Sequence, residues 1–242
     1  MTHLLEVENL TRQFGGLTAV NKLSFYMDQG EVVGLIGPNG AGKTTCFNMI
    51  SGSMRPSMGT VRFRGEVISG LKAHQVTKRG LTRTFQVVQP FPEMSALENV
   101  MIGAFARHRS RQAAEDKAGE VLERIAMKHK ATVLARDLTL LELKRLEIGK
   151  ALATEPELLL LDEVAAGLTP VEIDDILALV RKLNSEGMSL LVVEHVMKVI
   201  MNLSHRIVVL NFGSKISEGT AKEIAKDPAV LDAYLGEEGY VA

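Results

Sequence analysis

The stretch GPNGAGKT, residues 37–44, constrains this chain more than any other eight residues. It directly follows EVVGLI (31–36), a short, nearly continuous apolar run of strand length, and it leads into a segment that reads as helix from Lys43. Strand, glycine-rich turn and helix in that order set a tight connection. Gly37, Gly40 and Gly42 let the backbone curl so that its N–H groups point inward at anionic oxygens. The helix start adds the positive end of its dipole. Lys43 brings a point charge, and the Thr44 hydroxyl suits a divalent cation. The full pattern G-x-x-x-x-G-K-[ST], in this context, is a phosphate cradle.

The cradle sits within an alternating pattern. The runs LLLL (158–161), SLLVV (189–193) and RIVVL (206–210) are nearly continuous in apolar residues, as strands covered on both faces are, and helical stretches separate them. Near the N-terminus, LLEVENL and TVRFRG alternate apolar and polar residues, which predicts an antiparallel sheet with one wetter face. Ser95 with Glu98 forms a capping box ahead of LENVMIGAFARHR, so the pattern turns helical from 95 to about 130. That polar, helix-rich piece lies between strand-rich regions and reads as an inserted lobe. The tail, SEGTAKEIAKDPAVLDAYLGEEGYVA, reads as short surface helices.

Composition narrows the possible functions. At 242 residues, 46% hydrophobic and 24% charged, the chain is ordinary for a globular protein with a sizeable core. A net charge of −1 gives no bulk field to recruit nucleic acid, and HQVTKRGLTR lacks the interleaved aromatics of a nucleic-acid surface. The single cysteine, Cys46, leaves no internal disulfide framework and reads as a small buried hydrophobe. MTHLLEVENL is no signal peptide, and MSLLVVEHVMKVIMNL is broken by Glu194, His195 and Lys198. Nothing reaches the roughly 18 unbroken apolar residues of a membrane span, so a membrane role would come through a partner.

A second chemical stretch is LLLLDE (158–163). A buried strand ending in Asp162 delivers a carboxylate to a metal edge, and Glu163, one residue on, is placed to polarise a water for attack on phosphorus.

Read together, GPNGAGKTT, RTFQ (83–86), LLLLDE and VVEH (192–195) resemble the ATP-binding cassette ATPases, the nucleotide-binding subunits of ABC transporters, over nearly the whole chain. The resemblance implies an α/β fold: a P-loop NTPase (RecA-like) core with a mainly parallel sheet, an N-terminal antiparallel β subdomain and an inserted α-helical subdomain. It implies one cassette domain over 1–242. Residues 1–90 and 151–242 would form the core with its β subdomain, 91–150 the insert and 220–242 the helical tail. It also implies ATP and Mg²⁺. Gly37, Asn39, Gly40, Ala41, Gly42, Lys43, Thr44 and Thr45 would hold the phosphates, with Thr44, Gln86 and Asp162 around the metal. Glu163 would be the base, Gln86 would also report the γ phosphate to the helical lobe, and His195 would hold that phosphate and orient Glu163. Phe14 falls where the family stacks an aromatic ring on adenine; the other reading is a core phenylalanine.

Within the family, FGGLTAVNKLSF, RTFQ, KRLEIGKALATEPELLLLDE and YLGEE look most like importers of branched-chain amino acids and their urea or amide relatives, although lipopolysaccharide exporters end similarly. The partners implied are membrane permease subunits, a second ATPase subunit, the same or different, and indirectly a solute-binding protein. Nucleic acid is not among them. The implied location is peripheral, on the cytoplasmic face of the inner or plasma membrane. The alternatives are an exporter ATPase of the lipid or lipopolysaccharide type, or a soluble cassette acting on DNA or ribosomes. The soluble kind usually carries coiled-coil or zinc insertions or a second cassette. A GTPase is excluded, because no N-K-x-D follows LLLLDE.

The pattern departs at one key place. Most cassettes carry L-S-G-G-Q where this chain has LTLLE (138–142). Thr139 keeps the hydroxyl and remains a candidate phosphate ligand. Leu140 and Leu141 lose glycine's close approach, and Glu142 adds a negative charge. Thr139 and Glu142 also have the spacing of a capping box, so the stretch is either a phosphate-facing helix start or a plain one. Val164 replaces a proline and Thr169 an aspartate, which favours a heterodimer with a more orthodox ATPase or an intrinsically slow enzyme.

Overall fold

The computed structural model describes residues 3–85 and 88–238. In chain order the elements are β1 (Leu5–Phe14), β2 (Leu17–Met27), β3 (Val32–Ile36), α1 (Lys43–Ile50), β4 (Met58–Phe63), β5 (Glu66–Val67), α2 (Ala73–Lys78), β6 (Leu81–Arg83), α3 (Ala96–Ala104), α4 (Arg111–Arg124), α5 (Leu140–Leu152), β7 (Leu158–Asp162), α6 (Pro170–Ser185), β8 (Ser189–Val193), α7 (Met197–Leu203), β9 (Arg206–Asn211), β10 (Ser214–Gly219), α8 (Ala221–Ile224) and α9 (Pro228–Glu238). They gather into two compact units. One takes the chain up to Val76 and from Ser189 onward; the other spans Thr77–Met188.

The first unit contains the antiparallel sheet β2-β1-β4-β5. The alternation in β1 buries Leu5 and Val7 while Glu6 and Glu8 face outward. That period breaks at Asn9, where the register shifts between Val7 and Leu10 and the backbone turns to φ 48°. The irregularity returns Leu10 to the buried face, which strict alternation with Val7 would not allow. The same unit holds strands β10, β9, β3 and β8 side by side, with β3 parallel to both β8 and β9. Every residue of β3 and β8 is buried, the burial that their unbroken apolar runs imply.

In the second unit β6 lies parallel to β7, with Leu81 opposite Leu158 and Arg83 opposite Leu160. The four leucines of β7 are fully buried, and each contributes roughly 1.5–3 kcal/mol to folding. Helix α3 starts on the reciprocal cap read from the sequence. Ser95 Oγ accepts from the Glu98 N–H at 3.2 Å, and Glu98 accepts from the Ser95 N–H at 2.8 Å. The loop before it is pinned by buried Asn99, whose amide donates to the carbonyls of Phe91, Met94 and Ser95 and accepts from the Phe91 N–H.

Candidate functional site

The cradle belongs to the first unit. Strand β3 delivers the chain to Gly37, where φ is 151° and a Cβ would sit 2.1 Å from the Leu210 carbonyl oxygen. Gly42, at φ 98°, begins α1, and a Cβ there would lie 2.4 Å from the Ala19 carbonyl. Both positions therefore demand glycine, for space and for conformation. Helix α1 has no side-chain cap and no acidic residue in its first turn. The positive end of its dipole faces the turn, with no acidic side chain of the first turn set against it. Lys43 is 9% exposed, and its Nζ donates to the carbonyls of Gly37 at 2.6 Å and Pro38 at 2.8 Å. A buried ammonium needs such acceptors, and here they hold it inside the turn. Asn39, Gly40 and Thr44 are exposed, Thr45 is half-buried, and Ala41 is buried with its carbonyl accepting from the Gly213 N–H at 3.1 Å. Cys46, inside α1, is fully buried, and burial pushes its thiol up to about 12.

Two further candidates lie in this unit. Val193 of β8 stands opposite Leu35 of β3 in parallel register. Continuing both strands by two residues brings the chain to exposed His195 and to Gly37, at the carboxyl edge where α/β ligands gather. Phe14 ends β1 opposite Leu17 and is 42% exposed, so the core reading fails. Its ring carries the Arg12 guanidinium 4.6 Å from its centroid, leaving an aromatic surface open to stacking.

The second unit holds the carboxylates. Asp162 closes β7 at 2% exposure and accepts from the Arg83 guanidinium at 2.7 Å. Its N–H donates to the Thr84 hydroxyl at 3.2 Å, and the Thr84 N–H donates to the Leu160 carbonyl at 2.9 Å. Burial pushes the Asp162 carboxyl above its ordinary range, Arg83 opposes that, and the neighbouring Glu163 charge adds to it. The first two residues of RTFQ thus clamp the aspartate. Gln86 lies outside the described residues. Sequence reasoning missed Arg83, the last residue of the three-residue strand β6, whose pairing with Asp162 no local pattern marks. Glu163 is half-buried, in a left-handed backbone conformation (φ 46°), and its carbonyl accepts from Lys144 Nζ at 3.0 Å. Lys144 was also missed.

The altered signature folds as the reciprocal cap of α5. The Glu142 N–H donates to Thr139 Oγ1 at 3.3 Å, and the Thr139 N–H donates to Glu142 Oε2 at 2.9 Å. The remaining oxygen, Oε1, meets Lys130 Nζ at 3.0 Å. Burial works to raise the Glu142 pKa, but the Thr139 amide and the Lys130 ammonium together hold it below the ordinary range. The extra negative charge is therefore paired within its own unit. The same device starts α6, where Thr169 and Glu172 cap each other and Pro170 takes the first helical position. The hydroxyl of Thr169, standing for the family's aspartate, thus serves a local cap.

Comparison with known proteins gives one consistent answer. The ABC transporter family pattern matches residues 20–166, and a pattern described as branched-chain amino acid ATP-binding cassette transporter matches residues 214–240. A high-affinity branched-chain amino acid transport ATP-binding protein of Pseudomonas aeruginosa is 42% identical, over 97% of this chain and 98% of its own length. Its Escherichia coli counterpart is 40% identical over the same shares. A crystal structure of an ATP-binding cassette of an ABC transporter, in its ADP conformation, superposes with a TM-score of 0.89 at 31% identity, over 98% of this chain and all of that one.

Proposed function

Since the chain belongs to the ABC transporter family, where it is an ATP-binding and ATP-hydrolysing subunit, we propose that it powers the import of branched-chain amino acids or related small polar solutes through partner membrane subunits. The observation that carries the ATPase part is the cradle: an uncapped helix start and a buried Lys43 held by the loop's own carbonyls. The substrate class is supported by the names of relatives similar from end to end and by the C-terminal pattern.

In this reading the amides of Gly37 and of residues 39–45 hold the phosphates, Lys43 adds its charge to the β and γ phosphates, and Phe14 stacks on adenine. Thr44, Gln86 and Asp162 would hold Mg²⁺ with the hard oxygen donors it prefers, and the ion would supply neutralisation of phosphate charge. Glu163 takes a proton from the attacking water as its oxygen bonds to the γ phosphorus and the bond to the β-phosphate oxygen breaks. His195 holds the γ phosphate. Thr139 meets the nucleotide bound by a second ATPase subunit, and its paired Glu142 leaves the α5 start without a net repulsive charge. The departures at 140–142, 164 and 169 favour a different, more orthodox second subunit. The assembly then sits on the cytoplasmic face of the membrane through its permease partners, with a solute-binding protein delivering cargo.

Sedimentation of Glu163→Gln with and without Mg·ATP tests this. A shift to dimer on ATP is the expected result for a competent signature. A monomer that still binds ATP would mean that this signature cannot close the site with a second copy of the chain, and that a distinct partner ATPase is needed.

A further inference from the structure

Lys144 is the fifth residue of α5, the helix that begins with the altered signature, yet it points away from solvent, at 5% exposure. A lysine this deep is costly unless its hydrogens find acceptors and its charge finds carboxylates. Its Nζ donates at 3.0 Å to the backbone carbonyl of Glu163, and its charge also acts on the buried Asp162 carboxylate.

The carbonyl it holds belongs to an unusual residue. Glu163 adopts φ 46°, a left-handed conformation that costs a non-glycine residue about 1–2 kcal/mol and persists only where the surroundings impose it. Two donors converge on that carbonyl: Lys144 Nζ and, at 3.2 Å, the Ala166 N–H. Where the family pattern has proline, this chain has buried Val164. Proline would restrict the backbone of the residue before it, and valine removes that restriction. The conformation of Glu163 therefore depends on what grips it from outside.

We propose that Lys144 is a positioning residue for Glu163: by holding its carbonyl in the left-handed turn, Lys144 aims the Glu163 carboxylate and ties that aim to the seat of α5. The inference rests on the reading of Glu163 as the base. It adds a physical link within one unit, from the helix whose start would meet the second subunit's nucleotide to the residue that acts on this subunit's own. A shift of α5 would move the Lys144 ammonium, and with it the backbone that carries the carboxylate.

The test is steady-state ATP hydrolysis by the full chain with Lys144→Met, Lys144→Arg, Glu163→Gln and the double variant Lys144→Met/Glu163→Gln. Binding of a fluorescent ATP analogue and melting temperature are read in parallel. Lys144→Met is expected to lower kcat by roughly 10–100-fold with KM and analogue affinity within about twofold, because a misaimed base loses rate rather than binding. Lys144→Arg keeps a cationic donor and should recover most of the rate. In the Glu163→Gln background Lys144→Met should cost nothing further, since it acts through the carboxylate that is already gone.

Should Lys144→Met fail to fold, Lys144→Gln decides. It is neutral and one atom shorter, and it should show the same loss of kcat at constant KM. An unchanged kcat in the Met or Gln variant, or a fall in kcat that adds fully to Glu163→Gln, would overturn the proposal. If instead Glu163→Gln itself retains parental kcat, the base assignment falls, and the positioning role falls with it.

Discussion

The chemistry of the cradle is set by single residues whose alternatives are excluded by space or charge. Gly42→Ala would meet both obstacles at once, a positive φ and the Ala19 carbonyl 2.4 Å from the new Cβ. A loss of more than about 1 kcal/mol of stability is expected, together with loss of nucleotide binding; a melt and an ATP titration would check both. Lys43→Met removes a buried ammonium from between two carbonyls. The fold should survive, while ATP affinity falls by roughly 10–100-fold, the range for a lost hydrogen bond to a charged group, measured by titration calorimetry. Cys46, with its thiol pushed up to about 12 by burial, should resist alkylation in the folded protein and react only on unfolding. Mass spectrometry after maleimide treatment across a urea series would show whether labelling tracks the unfolding transition.

At the scale of the elements, helix starts repeat one device. Reciprocal caps open α3, α5 and α6. A capping box by itself therefore marks no ligand site; beyond its ion pair to Lys130, what sets the α5 cap apart from the α6 cap is what it is proposed to face. Thr139→Ala and Thr169→Ala should each cost about 1 kcal/mol at neutral pH by chemical denaturation. Only Thr139→Ala should also weaken the ATP-dependent dimer of Glu163→Gln. The pH dependence has a definite sign. The folded Glu142 pKa lies below its ordinary value of 4.5, so its contribution is complete above that value and is lost as pH falls through the folded value. The stability difference between the parent and Glu142→Gln should shrink on acidification below about pH 4.5, and a gap that widened there would contradict the pairing seen with Lys130 and Thr139.

For the whole molecule, no helix among the described residues is long and apolar enough to cross a membrane. The proposed route to a membrane is through permease partners. Flotation of vesicles should carry this protein only when the permease subunits are co-expressed; flotation of the chain alone would require an anchor of its own. The family's α/β architecture follows from long-range pairings. Strand β3 lies between β8 and β9, partners far along the chain, and this arrangement brings the chain from β8 to the edge where the cradle opens.

What the sequence settled by itself was local. Unbroken apolar runs gave β3, β7, β8 and β9, period-2 alternation gave most of β1, and short fixed spacings gave the cradle and the caps of α3 and α5, because neighbours within a few residues decide strand pleat, turn and capping. The tertiary structure decided the rest. It placed Arg83 on Asp162 across 79 residues and Lys144 on the Glu163 carbonyl across 19, brought Lys130 to Glu142, shifted the register at Asn9 and left Phe14 exposed. No periodicity carries those contacts. They arise when apolar burial brings distant segments together and each buried charge must then find whatever partner the packing has placed within reach.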